Sequence, residues 1–199
     1  MKINYDIKMQ EIIAKFSSKP KLLLHSCCGP CSSASLEKLS NFFDITVIYY
    51  NPNIYPKDEF FKRLSEQKKL LKSAFNDIKL LETDYDEKEF LSAVKGLENE
   101  KEGGARCNVC FALRLKKTAL LAKELGFDYF GTTLTISPHK NEQTINALGE
   151  KIAQEMGINF LYSDLKKHDG YKRSIELSKQ YNIYRQEYCG CRFSVYKEN

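Results

Sequence analysis

Residues 21–33 read KLLLHSCCGPCSS. The run KLLLHS has the length and apolar character of a short buried strand, and a helix follows from about Pro30 to Asn41. Three thiols, Cys27, Cys28 and Cys31, crowd into the handover from strand to helix. In parallel sheets that end of a strand is where ligands bind. The candidates for such a group are a disulfide, a zinc site, an iron–sulfur cluster and a redox thiol.

The stretches that follow repeat the alternation. DITVIYYNP (44–52) is a β-branched and aromatic strand ended by Pro52, and residues 55–75 carry apolar side chains at helical spacing. Residues 78–82 read as a strand, 86–96 as a helix and 97–106 as a polar loop. A helix from about Asn108 to Leu125 stops at Gly126, and 127–136 is a strand. Residues 141–157 form a helix capped by Gly157, then come a strand over 158–164 and a last helix over 171–181. Residues 7–17 add a helix before the first strand. Alternating strand and helix predict an α/β fold: a Rossmann-like parallel sheet with helices on both faces, in a single domain over 1–199. TISPHK (135–140) and DLKKHDGYKRS (164–174) each follow a strand, so both are expected on the rim that carries Cys27.

Composition narrows the class without naming a function. The chain has 199 residues, 42% of them hydrophobic and 29% charged, enough to bury a core without disulfide staples. It has no apolar run long enough to span a membrane, and its charged, amphipathic N-terminus is unlike a signal peptide, so a cytoplasmic protein is expected. The net charge of +5 permits a nucleic-acid partner without demanding one.

All seven cysteines, Cys27, Cys28, Cys31, Cys107, Cys110, Cys189 and Cys191, lie in close groups. In a reducing compartment grouped cysteines are more often metal ligands or redox centres than structural bridges. CNVC (107–110) has the spacing that points two thiolates at one centre, at the start of a helix whose free N–H groups favour thiolate. It follows a long polar loop, which disfavours a thioredoxin-like dithiol. Cys27 and Cys28 with Cys107 and Cys110 supply four thiolates, enough for a [4Fe–4S] cluster or for zinc. Adjacent cysteines fit poorly on one small ion, which tips the balance toward a cluster. Cys31 is then left over, as a structural thiol, a ligand to a second metal or part of the cluster's shell. Cys189 and Cys191 form a C-x-C, either a strained redox disulfide or a pair of metal ligands.

Other side chains have bland readings beside functional ones. His25 and His139 lie near the expected rim, although a lone histidine is usually a hydrogen-bonded structural residue. The basic run 165–173 is a solvated face or a phosphate contact. Tyr49, Tyr50, Asn51 and Asn53 end the second strand, where a planar base could stack. Asp84 and Asp169 are candidate acids, and Arg106 and Arg114 flank the second cysteine pair as stabilisers of thiolate charge.

With these residues in view the chain resembles the QueH family of epoxyqueuosine reductases. The matching stretches are LLLHSCCGPCSS, YYNPNIYPKDEFFKR, GGARCNVCFALRL, GTTLTISPHKN, KKHDGYKRSIELSK and IYRQEYCGCRFS, in one order from residue 22 to 194. The resemblance implies reductive removal of the epoxide oxygen of epoxyqueuosine at the tRNA wobble position, the last step of queuosine synthesis. It implies a [4Fe–4S] cluster on Cys27, Cys28, Cys107 and Cys110, a redox-active disulfide at Cys189 and Cys191, and an electron donor that the sequence does not identify. It leaves room for a second single metal ion, iron or zinc, beside Cys31, a position where relatives can carry Asp. The sheet is also similar to that of ATP-using PP-loop enzymes that modify tRNA. SCCGPC stands where those carry a glycine-rich phosphate loop, so ATP hydrolysis is not expected. Three alternatives follow from the residues: a zinc-stabilised tRNA-binding module without catalysis, an ATP-dependent thiolation enzyme, and a protein thiol oxidoreductase working through Cys189 and Cys191.

Overall fold

Leu22, Leu23 and Leu24 are all buried, so the strand they form needs apolar cover on both of its faces. A computed structural model describes residues 2–195; Met1 and residues 196–199 of the expected span lie outside it. The described elements are, in chain order, α1 (Tyr5–Ile13), β1 (Lys21–His25), α2 (Gly29–Leu39), β2 (Asp44–Tyr49), α3 (Lys57–Ala74), β3 (Lys79–Glu82), α4 (Glu87–Ala93), α5 (Ala105–Glu124), β4 (Tyr129–Thr132), α6 (Glu142–Met156), β5 (Asn159–Phe160), α7 (Gly170–Gln180) and α8 (Arg192–Val195). The strands form one parallel sheet in the order β3-β2-β1-β4-β5. Side chains alternate across it. Leu22 and Leu24 pack with Ile45 and Val47 against α2 and α7, while Leu23 packs with Ile48 and Phe130 against α5 and α6. The expected parallel α/β sheet with helices on both faces is what the chain forms.

Strand order reverses between β1 and β4, and in such folds the crevice beyond the strand ends opens at that point. One buried histidine closes it from below. His25 Nε2 donates to the Tyr50 carbonyl at 3.1 Å, so Nδ1 is the acceptor for the Thr132 hydroxyl at 3.0 Å. Thr132 Oγ1 in turn accepts the Leu134 N–H at 3.1 Å. The ends of β1, β2 and β4 are thereby tied together. Burial holds the His25 imidazolium down to about pKa 4, so the ring is neutral at physiological pH. His25 is a structural residue, in line with its bland reading.

Several element ends differ from expectation. β4 stops at Thr132 because its side chain caps a 3-10 turn over Thr133–Ile136. Only Asn159 and Phe160 of the strand expected over 158–164 are paired, since Ser163 N–H and carbonyl turn to the Asn146 side chain. α5 starts at Ala105, three residues early, which places Cys107 inside its first turn. Among the described residues no helix is long and apolar enough to cross a membrane.

Gly149 lies inside α6, where alanine would ordinarily gain about 1 kcal/mol. A Cβ there would sit 2.3–2.6 Å from the Phe160 ring, which is packed against Phe130. Gly149→Ala is therefore expected to cost about 1–3 kcal/mol net, read as a lowered urea midpoint. A raised midpoint would show that the ring yields freely.

Candidate metal and redox site

The chain turns sharply after β1. Cys28 takes the N-cap position of α2 with extended backbone (φ −175°, ψ 161°), and Gly29-Pro30 form the first turn, where a missing N–H costs nothing. Cys31 follows within that turn. The Sγ atoms of Cys27, Cys28 and Cys31 lie within 4.8 Å of one another, with Cys27 and Cys28 3.7 Å apart. Hydrogen bonds fix this loop. The Ser26 and Ser32 hydroxyls both donate to Gln67 Oε1, at 2.7 and 2.8 Å, and Asn51 Nδ2 donates to the Ser26 carbonyl at 2.8 Å. Gln186 Nε2 donates to Cys28 Sγ at 2.9 Å.

The second group sits on α5. Cys107 Sγ accepts the Gly103 N–H at 3.2 Å and packs against the apolar cluster that contains Cys27 and Cys28. Cys110, one turn on, is buried in a different cluster with Cys191 and Phe90. α5 thus contributes to both the cluster of the first cysteine group and that of the third. Arg106 holds the polar loop before it, donating to the carbonyls of Leu97, Glu98 and Glu100.

The third group is clamped from below by α3. Arg63 is buried; its Nε donates to Glu59 Oε1 at 2.6 Å, and Nη1 and Nη2 donate to the carbonyls of Cys189 and Tyr188 at 3.2 and 3.3 Å. Tyr55 N–H donates to the Gly190 carbonyl at 2.7 Å. Gly190 has φ +113°, and a Cβ on it would lie 2.8 Å from Arg63 Nη1, so only glycine fits between the two cysteines. All seven cysteines are free thiols here.

The first and third groups face a cavity of about 790 Å³, whose lining includes Cys27, Cys31, Arg114, Lys140, Gln186 and Cys189. Hydrogen bonds from the Cys28 and Cys31 thiols hold Cys27 well below the usual thiol range. Burial pushes Cys28 up to about 12, and the bond to Cys27 pushes Cys31 well above its ordinary value. Burial likewise pushes Cys110 up to about 12 and raises Cys191. Three soft donors, one of them poised as thiolate, suit a thiophilic metal. Cys31 therefore stands with Cys27 and Cys28, not apart from them.

Other expected residues are distributed unevenly. His139 lines the cavity. Tyr49, Tyr50, Asn51 and Asn53 are buried, with Tyr49 Oη donating to the Phe60 carbonyl, so they form core in place of a stacking surface. Asp84 and Asp169 are exposed and outside the cavity lining. In the basic run, Lys166 pairs with Asp164 and Glu142, His168 with Asp6, and Arg173 with Glu37 and Glu176, while Tyr171 reaches the cavity. Sequence reasoning passed over Glu59, Arg63, Gln67 and Gln186. The four-residue spacing of Glu59, Arg63 and Gln67 on one helix face was the available signal.

The family model described as "Epoxyqueuosine reductase QueH" matches residues 22–197. Relatives carrying that name include one from Streptococcus pyogenes serotype M1, 49% identical over 98% of this chain and 79% of its own length. One from Staphylococcus epidermidis is 44% identical over 99% of this chain and 87% of its own. One from Thermotoga maritima is 34% identical over 87% and 90%.

Arg63→Lys keeps a charge but cannot serve three acceptors in fixed directions. It is expected to destabilise the protein by about 1–3 kcal/mol in urea and to quicken alkylation of Cys189 relative to Cys110. Unchanged Cys189 reactivity would show that Arg63 does not hold the C-x-C loop.

Proposed function

The chain belongs to the epoxyqueuosine reductase QueH family, and we propose that it carries out the reaction of that name: two-electron removal of the epoxide oxygen of epoxyqueuosine at the tRNA wobble position, giving queuosine. The observation that carries the reading to this structure is the convergence of Cys27, Cys31 and Cys189 on one cavity at the switch point of the sheet. A zinc-stabilised binding module without catalysis does not account for relatives named as reductases. With a tRNA substrate, the cytoplasm is the place of action.

The donor set fits a sulfur-ligated metal group. We assign Cys27, Cys28, Cys107 and Cys110 as ligands of a [4Fe–4S] cluster, with Cys31 available to a second single metal ion, iron or zinc. Such groups supply single electrons and a Lewis acid beside the epoxide. The grouping of Cys31 with Cys27 and Cys28 favours a second division, in which these three share one centre.

The chain's own residues account for the rest. The cavity takes the epoxide-bearing arm of the nucleoside. Cys189 lines that cavity, and Cys191 stands two residues on in the clamped loop. Their two thiols can supply the electron pair: oxidation of the dithiol to a disulfide, with transfer of its two protons, balances conversion of the epoxide to an alkene and water. An electron donor then returns the disulfide to the dithiol. Tyr171 and Arg185, whose guanidinium lies 5.6 Å from the Tyr171 ring, form a cavity wall suited to stacking a splayed base.

The test is anaerobic purification, iron and sulfide counts, and turnover of epoxyqueuosine-containing tRNA. Wild type is expected to hold iron and sulfide and to turn over. Cys107→Ser and Cys110→Ser should lose the cluster, while Cys189→Ser should keep it and lose activity by at least about a hundredfold. Cys31→Ser retains four irons if Cys31 serves a second metal and loses the cluster if the three cysteines share one centre. A protein with stoichiometric zinc, no iron and no turnover would sink the assignment.

A further inference from the structure

Arg114 is a buried cation without an anion. It is 2% exposed, and its Nε donates to the Cys110 carbonyl at 3.2 Å. Its Nη2 is buried and has no hydrogen-bond partner. Among the described residues no carboxylate forms an ion pair with Arg114 or with Lys140, a half-buried cation that also lines the cavity. An unpaired buried charge is strongly destabilising, so a partner is expected in the working protein. Cys27, Cys31 and Cys189 share the cavity lining with both cations, and against the lowering by burial the sulfurs of Cys110, Cys189 and Cys27 raise the pKa of Arg114 and those of Cys189, Cys27 and Cys31 raise that of Lys140. Arg114 thus joins the second cysteine group, through the Cys110 carbonyl, to the cavity that Cys27, Cys31 and Cys189 line.

We propose that Arg114 and Lys140 are the counter-charge of the sulfur-ligated centre, Arg114 from the protein side and Lys140 from the cavity rim, and that together they set its reduction potential. The proposal rests on the reading that these cysteines hold an iron–sulfur group. A cluster and its thiolates carry net negative charge and present sulfur acceptors, which is what an orphaned guanidinium N–H lacks. An RNA phosphate is the other anion this protein meets. It does not reach Arg114 Nη2, which is closed to solvent, whereas a group seated among Cys27, Cys110 and Cys189 does. Positive charge nearby favours the reduced, more negative state. Removing it therefore makes the centre harder to reduce, and burial limits screening by salt. Both residues act through the centre and are positioning residues.

The experiment is a redox titration of the cluster-loaded protein, followed by absorbance and electron paramagnetic resonance, with iron and sulfide counted in each sample. Arg114→Gln and Lys140→Gln should keep iron and sulfide and move the midpoint potential to more negative values, for Arg114→Gln at low and high salt alike. Arg114→Lys should stay near wild type, and Lys151→Gln, on the exposed side of α6, should match it. Wild-type potentials in both Gln variants, at full iron and sulfide, overturn this inference and leave the proposed function standing. If Arg114→Gln does not retain iron, Lys140→Gln decides: an unshifted potential there overturns the proposal. A wild-type chain that binds neither iron nor sulfide overturns both readings.

Discussion

The buried polar stripe of α3 is the constraint on which the arrangement of the thiols depends. A helix covering a sheet normally buries apolar side chains, yet Glu59, Arg63 and Gln67 are buried at four-residue spacing. Gln67 accepts from the two serines that bracket Cys27 and Cys28, and Arg63 donates to the backbone of Tyr188 and Cys189. One rigid helix therefore holds the loop after β1 and the C-terminal C-x-C loop in a set relation. Moving either loop would leave a buried charge or amide unsatisfied, which costs more than the bond itself contributes. Gly190 completes the arrangement, because any side chain there would displace Arg63.

Electrostatics in the cavity follow from the same burial. Desolvation favours protonated thiols, as at Cys28 and Cys110, while Cys27 is stabilised as thiolate by its two thiol neighbours. A metal bound there would therefore release protons from buried sulfurs. Two cations without carboxylate partners stand where that negative charge develops. In 165–173, by contrast, Lys166 and Arg173 are engaged in ion pairs with Asp164, Glu142 and Glu37, and His168 is hydrogen-bonded to Asp6, so that segment ties α1, α2, α6 and α7 together.

The fold was legible because its signals are local. Strand and helix type follow from apolar spacing within a few residues, and Gly157 closes α6 where its position suggests. Element ends were less legible. The early start of α5 depends on the loop that Arg106 gathers, and the short β5 on Asn146 competing for the Ser163 backbone. Tyr49, Tyr50, Asn51 and Asn53 have the composition of a base-stacking strand end, but α3 and the β1 loop cover them.

By itself the sequence determined the alternation that makes a parallel sheet, the placing of Cys27, Cys28 and Cys31 at a strand's carboxyl end, and the grouping of all seven cysteines. Each is a matter of order and spacing along the chain. Only the tertiary structure decided that Cys189 shares a cavity with Cys27 and Cys31, that α5 divides its pair between two clusters, and that Arg114 joins Cys110 to that cavity. Those relations join residues far apart in sequence. They are settled by how α3 and α5 pack against the sheet, because a buried polar or charged group confines its partners in three dimensions and leaves no periodic trace along the chain.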